Sequence, residues 1–333
     1  MSVAIIMADD AKLLCVSDLA VDFSVGGHFL GLGGGSRVLH AVNGVNLTLR
    51  EGECLGLVGE SGCGKSTVAL AILGLVPATR GTIAVDGMEI GTNAAIDRRR
   101  LARTVQMVFQ DPYASLNPRQ TVRRTLADPL RLHGVTNKGE VADRVADMMR
   151  QVGLTSDHAD RYPHEFSGGQ RQRIGIARAL ILRPKLVICD EPVSALDVSI
   201  RAQIINLLLE LKESLGLSYI MISHDLGVVE HMSDRVAVMY LGKIIETGDW
   251  RAIFERPGHP YTRGLIAAIP DAFAPAEISA NKVRGEIPSP FDPPSGCAFH
   301  PRCPIVADRC RVAPRPELRR LADAHDVSCW LAS

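Results

Sequence analysis

The fold is decided by the stretch Gly59-Glu60-Ser61-Gly62-Cys63-Gly64-Lys65-Ser66-Thr67. An apolar run, 53–58, precedes it and a helix-forming run, 68–73, follows it, so the sequence predicts a strand, a loop and a helix. Glycine, four residues and then Gly-Lys-Ser is the spacing of a phosphate-binding loop in this context. Glycines let successive backbone N–H groups point at phosphate oxygens, and the helix adds its positive N-terminal end. A plain Gly-rich turn, the alternative, gives no reason for Lys-Ser-Thr at the helix start.

The side chains at the end of this phosphate loop (residues 59–67) fit a nucleoside triphosphate. Lys65 supplies a point charge for the β- and γ-phosphates, and the hydroxyl of Ser66 is placed to ligate Mg²⁺. The sequence therefore predicts a nucleotide site that uses the whole loop: Gly59, Glu60, Ser61, Gly62, Cys63, Gly64, Lys65, Ser66 and Thr67.

Composition excludes some partners. The 333 residues include 37 Lys and Arg against 37 Asp and Glu, so no net charge attracts the chain to nucleic acid or to an anionic membrane. No apolar run approaches the roughly 18 residues of a membrane span. The first ten residues contain acidic side chains where a signal peptide needs a basic end. We expect a soluble, cytoplasmic chain that has no nucleic-acid partner.

Beyond the loop, strands and helices alternate, which predicts a mostly parallel α/β sheet with helices on both faces. Residues 112–183 read as an inserted helical subdomain, and 256–333, rich in Pro and Cys, as an extension beyond the main domain. A helix over 199–215 should end at Gly216. The expected strands are 12–23, a pair of short strands within 38–49, 81–87, 104–109, 186–190, 217–222 and a hairpin over 235–247. The six glycines of 26–36 predict a loop.

Two acidic residues, Asp190 and Glu191, end the apolar strand that begins at Leu186. Asp190 is placed to hold Mg²⁺ through its water shell. Glu191 can orient, or accept a proton from, a water molecule that attacks the γ-phosphate. Adjacent acids at a strand end can also be merely solvated, but a phosphate loop at this separation upstream favours the catalytic interpretation.

Phe166-Ser167-Gly168-Gly169-Gln170, followed by Arg171-Gln172-Arg173, resembles the signature of ABC transporter ATPases, usually Leu-Ser-Gly-Gly-Gln. The chain is thus similar to their nucleotide-binding subunit: a P-loop ATPase with an antiparallel β subdomain, a mostly parallel core sheet and an inserted helical subdomain. The resemblance implies ATP and Mg²⁺, the ion being held through Ser66, Gln110 and Asp190. It further implies a Q-loop at Gln110, a D-loop containing Asp197, a catalytic pair of Glu191 and the switch histidine His224, and Phe23 stacked on adenine.

The same resemblance implies a shared site. Ser167, Gly168, Gly169 and Gln170 open a helix and so offer a second place for phosphate. Within one subunit this place lies too far from the phosphate loop to reach the same ATP. The family pairs two subunits head to tail, so that each ATP lies between one phosphate loop and the partner's signature. Binding of ATP then closes the pair, and hydrolysis reopens it.

The tail narrows the resemblance. His259-Pro260-Tyr261-Thr262-Arg263-Gly264-Leu265 resembles the ATPase subunits of oligopeptide, dipeptide and nickel importers, as does 110–118. This implies a cassette at 12–255 and the extension at 256–333. The implied partners are a second, related ATPase, two membrane permeases and an extracytoplasmic solute-binding protein, with the chain at the cytoplasmic face of the inner membrane. The alternative is a soluble ABC ATPase acting on ribosomes or DNA, which usually has two cassettes or long coiled-coil insertions.

Four of the eight cysteines fall in the last 37 residues: Cys297, Cys303, Cys310 and Cys329. In a reducing compartment a metal bound by thiolates is the natural interpretation, and the spacing does not distinguish zinc from iron. The importer resemblance implies a four-iron, four-sulfur cluster, with redox regulation of the ATPase as one further hypothesis. Zinc with His300 as a ligand and unliganded thiols remain alternatives. The other four cysteines read as small apolar or loop residues.

Overall fold

The computed structural model describes residues 12–26, 37–90, 97–269, 283 and 285–332. Most of the predicted Gly-rich loop, 26–36, lies outside these ranges. The strands are β1 (Lys12–Val25), β2 (Arg37–Arg50), β3 (Cys54–Val58), β4 (Arg80–Val85), β5 (Met88–Ile90), β6 (Val105–Val108), β7 (Leu186–Asp190), β8 (Ser218–Ile222), β9 (Arg235–Tyr240), β10 (Lys243–Asp249), β11 (Arg319–Ala322) and β12 (His325–Val327).

The helices separate or follow these strands. They are α1 (Lys65–Ile72), α2 (Arg98–Thr104), α3 (Pro112–Ser115), α4 (Val122–Leu132), α5 (Lys138–Gln151), α6 (Gly168–Leu180), α7 (Val198–Leu215), α8 (Leu226–Met232), α9 (Trp250–Glu255) and α10 (Pro260–Ile266). Short 3₁₀ helices lie at Ser156–His158, Pro163–Glu165, His300–Arg302 and Asp308–Cys310. Over the described part of the chain, no helix combines the length and the apolar character that a membrane crossing requires.

The core sheet has eight strands in the order β11-β12-β10-β9-β3-β8-β7-β6. From β9 to β6 every neighbouring pair is parallel. Strands β3, β7 and β8 are buried along their whole length, because helices and the second sheet cover both faces. The predicted mostly parallel α/β sheet is confirmed.

The second sheet is antiparallel, in the order β2-β1-β4-β5, and its inner face packs with helix α1 against the core sheet. The prediction of two short strands within 38–49 is wrong, because β2 runs unbroken through this segment. Leu19 pairs with Val45 and Ala20 with Asn43, so that Gly44 bulges out between them. Gly44 has φ 77°, which a residue without a side chain adopts readily, so the strand bends at the bulge and continues.

The helical subdomain, α3 to α6, packs its apolar faces into one core with α7. Helix α5 is capped at its start by a side chain. Asn137 accepts the N–H groups of Gly139 and Glu140 at the start of α5. Helix α7 ends at Gly216 in the left-handed conformation, as the sequence predicts.

The C-terminal extension is joined to the core sheet around one buried carboxylate. Glu246 of β10 is completely buried, and its side chain accepts the backbone N–H groups of Gly258 at 2.6 Å and His259 at 3.0 Å. His325 of β12 lies 2.7 Å from the same carboxylate, next to the antiparallel pairing of β10 with β12. The extension therefore continues the core sheet across the predicted domain boundary at 255, which itself stays a prediction.

Because His259 is buried, we expect the stability of the folded chain to depend on pH. Its Nδ1 accepts the N–H of Tyr261 at 3.0 Å, so the ring is needed in its neutral form. Burial lowers the pKa of His259 from 6.5 to about 4, with Glu246 opposing and Arg263 adding to the shift. Because the folded pKa is the lower one, the unfolded chain takes up the proton first. The stability that the neutral His259 ring contributes is fully present above pH 6.5. It is lost as the pH falls towards 4, by at most about 1.4 kcal/mol per pH unit.

The variant His259→Asn keeps an N-cap acceptor and removes this titration. We expect the free energy of unfolding, measured by urea titration between pH 4 and 6.5, to fall less steeply in the variant than in the wild type. Equal slopes would mean that the pKa of His259 is the same in the folded and the unfolded chain.

Candidate active site

The phosphate loop packs closely between strands β2 and β9, and this close contact requires glycine at two loop positions. A Cβ atom on Gly64 would lie 2.3 Å from the carbonyl oxygen of Ala41 in β2. One on Gly59 would lie 2.2 Å from that of Met239 in β9. Both glycines also have positive φ, 110° and 151°. No residue with a side chain fits at either position, so the loop backbone holds a curled shape that larger residues cannot adopt.

Lys65 begins α1 and turns back into the loop. Its side chain is buried, and its ammonium group donates to the carbonyl oxygens of Gly59 at 2.8 Å and Glu60 at 2.9 Å. Burial raises the pKa of the neighbouring Cys63 thiol, although Lys65 opposes the shift. A positive charge is thus held beside backbone N–H groups at the start of a helix, an arrangement that suits phosphate oxygens.

Three polar side chains meet where neighbouring parallel strands end. Gln110 follows β6, Glu191 follows β7 and His224 follows β8. The Glu191 carboxylate accepts the Gln110 amide at 2.6 Å and lies 3.0 Å from Nδ1 of His224. The backbone of Glu191 has φ 47°, and its N–H donates to Ile222 O at 2.8 Å. The strand order, which sequence separation does not reveal, brings these three residues together.

Asp190 lies behind this group and is buried. Burial raises the pKa of its carboxyl, a hydrogen bond from the Ser66 hydroxyl opposes this, Glu191 raises it further and Lys65 lowers it. The hydroxyl of Ser66, the carboxylate of Asp190 and the amide oxygen of Gln110 are hard oxygen donors of the kind Mg²⁺ prefers. A cation there would offset the cost of burying a charged carboxylate. The residues present therefore fit the ion that the sequence predicts.

Most of the predicted nucleotide-site residues line one cavity of about 560 Å³, whereas Gly59, Glu60, Cys63 and Asp190 do not. Phe23, the predicted adenine-stacking residue, lies on its wall and is 37% exposed. The lining comprises Phe23, Leu39, His40, Ala41, Ser61, Gly62, Gly64, Lys65, Ser66, Thr67, Gln110, Glu191, His224, Leu241, Gly242 and Pro290. A larger cavity of about 940 Å³, elsewhere on the surface, is lined by none of the predicted site residues that the structure describes.

The signature lies apart from this cavity. Ser167 caps α6: its hydroxyl accepts the Gln170 N–H at 3.3 Å, and the Gln170 side chain accepts the Ser167 N–H at 3.0 Å. Gly169 packs on Ile200, where a Cβ would come within 2.5 Å. Phe166 is buried in the core of the helical subdomain, so it packs there as an apolar residue at the first signature position should. Within the described ranges, neither these residues nor the exposed Asp197 line the nucleotide cavity.

Sequence reasoning missed how the extension contacts the phosphate loop. The hydroxyl of Tyr261 accepts the backbone N–H of Glu60 at 2.8 Å, and Arg302 binds the Glu60 carboxylate. Pro290 reaches the cavity wall. Tyr261 lies in a motif that marks the tail, but no local pattern connects residue 302 with residue 60.

The four C-terminal thiols lie near one another. The N–H of Cys297 donates to Cys310 O at 2.9 Å, and Cys310 and Cys329 are buried. Burial raises the pKa of Cys297 to about 11, and Cys329, Cys310 and Cys303 add to the shift. Across the described residues, no three His, Cys, Asp or Glu side chains are placed to hold a metal ion. The predicted iron–sulfur or zinc site therefore stays a prediction.

The parallel sheet carries a phosphate loop after one strand and an acidic residue at the end of a nearby strand, and helix α6 of the helical subdomain begins with Ser-Gly-Gly-Gln. Together these features define an ATPase of the ATP-binding cassette class. The chain is 52% identical over 322 residues to the oligopeptide transport ATP-binding protein OppF of Escherichia coli (strain K12), covering 95% of both chains. The chain belongs to this family: it is an ATP-hydrolysing subunit of an ABC importer of peptides.

Other comparisons agree. The family models "ABC transporter" and "Oligopeptide/dipeptide transporter, C-terminal region" match residues 42–194 and 245–310. The di/tripeptide transport ATP-binding protein DppF of Pseudomonas aeruginosa (strain UCBPP-PA14) is 48% identical over 299 residues, 90% of this chain and 92% of that protein. The dimeric post-hydrolysis structure of the ATP-binding cassette MJ0796, bound to ADP and Pi, has a TM-score of 0.62 and 26% identity, and covers 72% of this chain and 99% of its own. The importer prediction is confirmed over the ribosome or DNA alternative.

Proposed function

We propose that this chain powers peptide import as one half of an ATPase pair. Its partners are a second, related ATPase, two permeases and an extracytoplasmic solute-binding protein, and it lies at the cytoplasmic face of the inner membrane. The observation that carries the proposal is the division of the site. The phosphate loop and Glu191 share one cavity, whereas Ser167 stands outside it, exposed at a helix start. A complete site then needs the signature of a second subunit.

In this pair the predicted site residues have separate roles. Lys65 and the loop N–H groups bind the β- and γ-phosphates, and Phe23 contacts the adenine. Ser66, Gln110 and Asp190 hold Mg²⁺, which neutralises charge on the phosphates. Glu191, held between Gln110 and His224, accepts a proton from the attacking water. The partner's Ser167 to Gln170 segment and Asp197 complete the site from the other side.

The variant Glu191→Gln tests these roles. It keeps the shape of the side chain and one acceptor oxygen but cannot accept a proton. We expect ATP hydrolysis by the assembled transporter to fall by about 100-fold or more, with ATP binding retained and peptide uptake into vesicles lost. Glu213→Gln, on the exposed face of α7, is the matched control. Uptake that survives Glu191→Gln would contradict the proposal.

A groove beside Gln110 supports permease docking. It has a volume of about 480 Å³ and lies between the helical subdomain and the core. Three large apolar side chains on it face solvent: Leu132 is 72% exposed, Leu75 58% and Phe109 40%. Apolar exposure of this size commonly marks a protein interface. Because Phe109 directly precedes Gln110, an element of the permease seated here would connect movement in the membrane to the Glu191 cluster.

Replacing both Leu75 and Leu132 by Asp should therefore weaken docking on the permeases without changing the binding of ATP. We expect ATP affinity to stay unchanged, since neither residue lines the nucleotide cavity, and co-purification with the permeases in detergent to fall at least tenfold. Val312→Asp is the control, because Val312 is 59% exposed in the extension. Full permease binding by the double variant would remove the groove from the proposal.

We also propose that the four C-terminal thiols hold an iron–sulfur cluster. Cys329, Cys310 and Cys303 contribute to the raised pKa of Cys297, so the four cysteines lie close together, and four cysteine thiolates are the ligand set of such a cluster. Binding of the cluster would require the thiols to lose their protons.

Anaerobic reconstitution of the full chain with iron and sulfide tests this. We expect about four irons per chain and a visible charge-transfer absorption band, both lost in Cys310→Ser and kept in the control Cys15→Ser. Stoichiometric zinc, or no metal in wild-type protein purified without air, would overturn the cluster.

A further inference from the structure

An acidic residue in the phosphate loop needs an explanation. Glu60 is the second residue of the loop, and a carboxylate at this place repels the triphosphate that the loop must bind. Yet Glu60 is not among the residues that line the nucleotide cavity, although its neighbour Ser61 is. Its side chain points instead towards the C-terminal extension.

The carboxylate is held there by Arg302. Nη1 donates to Oε2 at 2.7 Å and Nη2 to Oε1 at 2.8 Å, so the contact is bidentate. The Arg302 side chain is only 5% exposed and that of Glu60 25%. The guanidinium keeps its charge in this pair, because arginine is not deprotonated in proteins. A shielded, bidentate pair of this kind neutralises the carboxylate and fixes its direction.

The extension contacts Glu60 at a second point, through its backbone. The hydroxyl of Tyr261 accepts the Glu60 N–H at 2.8 Å. Tyr261 is buried and packs against Tyr240 and Phe299, with ring centroids 4.7 Å and 5.4 Å away. The third polar group of Glu60, its carbonyl, accepts the ammonium of Lys65. The backbone of Glu60, together with the carbonyl of Gly59, therefore positions the ammonium group of Lys65.

We propose that Arg302 is a positioning residue for ATP binding: it holds the Glu60 carboxylate out of the phosphate cavity and cancels its charge. The extension thereby takes part in the nucleotide site without contacting the nucleotide through this residue. The competing account is that the ion pair only stabilises the fold. The two accounts differ in what they predict once both charges are removed together.

The test compares Arg302→Gln with Glu60→Gln/Arg302→Gln by ATP titration of the full chain. We expect ATP binding about tenfold or more weaker in the single variant, because an uncompensated carboxylate is left beside the triphosphate. The double variant should return to within about threefold of the wild type, since no carboxylate remains to be neutralised. Arg302→Lys, which keeps the charge and loses the bidentate geometry, should fall between them.

A merely structural pair gives a different pattern. Both variants lack the ion pair, so thermal unfolding and ATP affinity would then decline together in both. In the assembled transporter we expect the KM for ATP to rise in Arg302→Gln with kcat little changed, because Glu191 and His224 are untouched. Arg320→Gln, which breaks an exposed pair with Asp326 in the β11–β12 hairpin, should leave ATP affinity unchanged.

The inference rests on the role proposed for the phosphate loop, and the experiment separates the two. If the wild-type chain fails to bind ATP, the role of the loop is wrong. If the wild type binds and Arg302→Gln binds equally well, or if the double variant stays as weak as the single one, the role of Arg302 is wrong.

Discussion

The structure depends on how tightly the phosphate loop is confined. Ala41 of β2 closes on it from one side and Met239 of β9 from the other, each through a carbonyl oxygen that leaves no space for a Cβ atom. The loop thus joins the antiparallel sheet to the core sheet. Because the curled backbone is fixed by this contact, its N–H groups and Lys65 are oriented before any nucleotide arrives. Preorganised dipoles of this kind cost little to arrange at the moment of binding.

The order of the core strands builds the rest of the site. Parallel strands end at one edge, and β3, β8, β7 and β6 lie side by side. The loop after β3 therefore stands next to His224, Glu191 and Gln110, in that order. Between Gln110 and Glu191 lie 80 residues, which form the helical subdomain and its flanks. A hydrogen bond of 2.6 Å nevertheless connects the two side chains. This bond connects the start of the helical subdomain directly to the Glu191 carboxylate.

The C-terminal extension is packed against both the core sheet and the phosphate loop. Glu246, buried at the edge of the core sheet, accepts two backbone N–H groups and contacts His325, which anchors both ends of the extension on β10. From that anchor, Tyr261 and Arg302 reach Glu60. The segment between Cys297 and Cys303 carries Arg302, so the predicted cluster ligands and the phosphate loop are separated by one ion pair.

The sequence by itself determined the parts that local chemistry specifies. A phosphate loop needs glycines and Lys-Ser in fixed spacing, a helix start needs a cap such as Ser167, and a buried strand needs a continuous apolar run such as β7. These requirements act within a few residues, and they predicted the α/β class and the residues around the nucleotide. They failed for β2, where a bulge at Gly44 replaces the expected break. Only the tertiary structure decided which distant residues meet. The pairing of Arg302 with Glu60 and the place of β12 beside β10 depend on packing across more than 70 residues of chain, and local pattern carries no information about it.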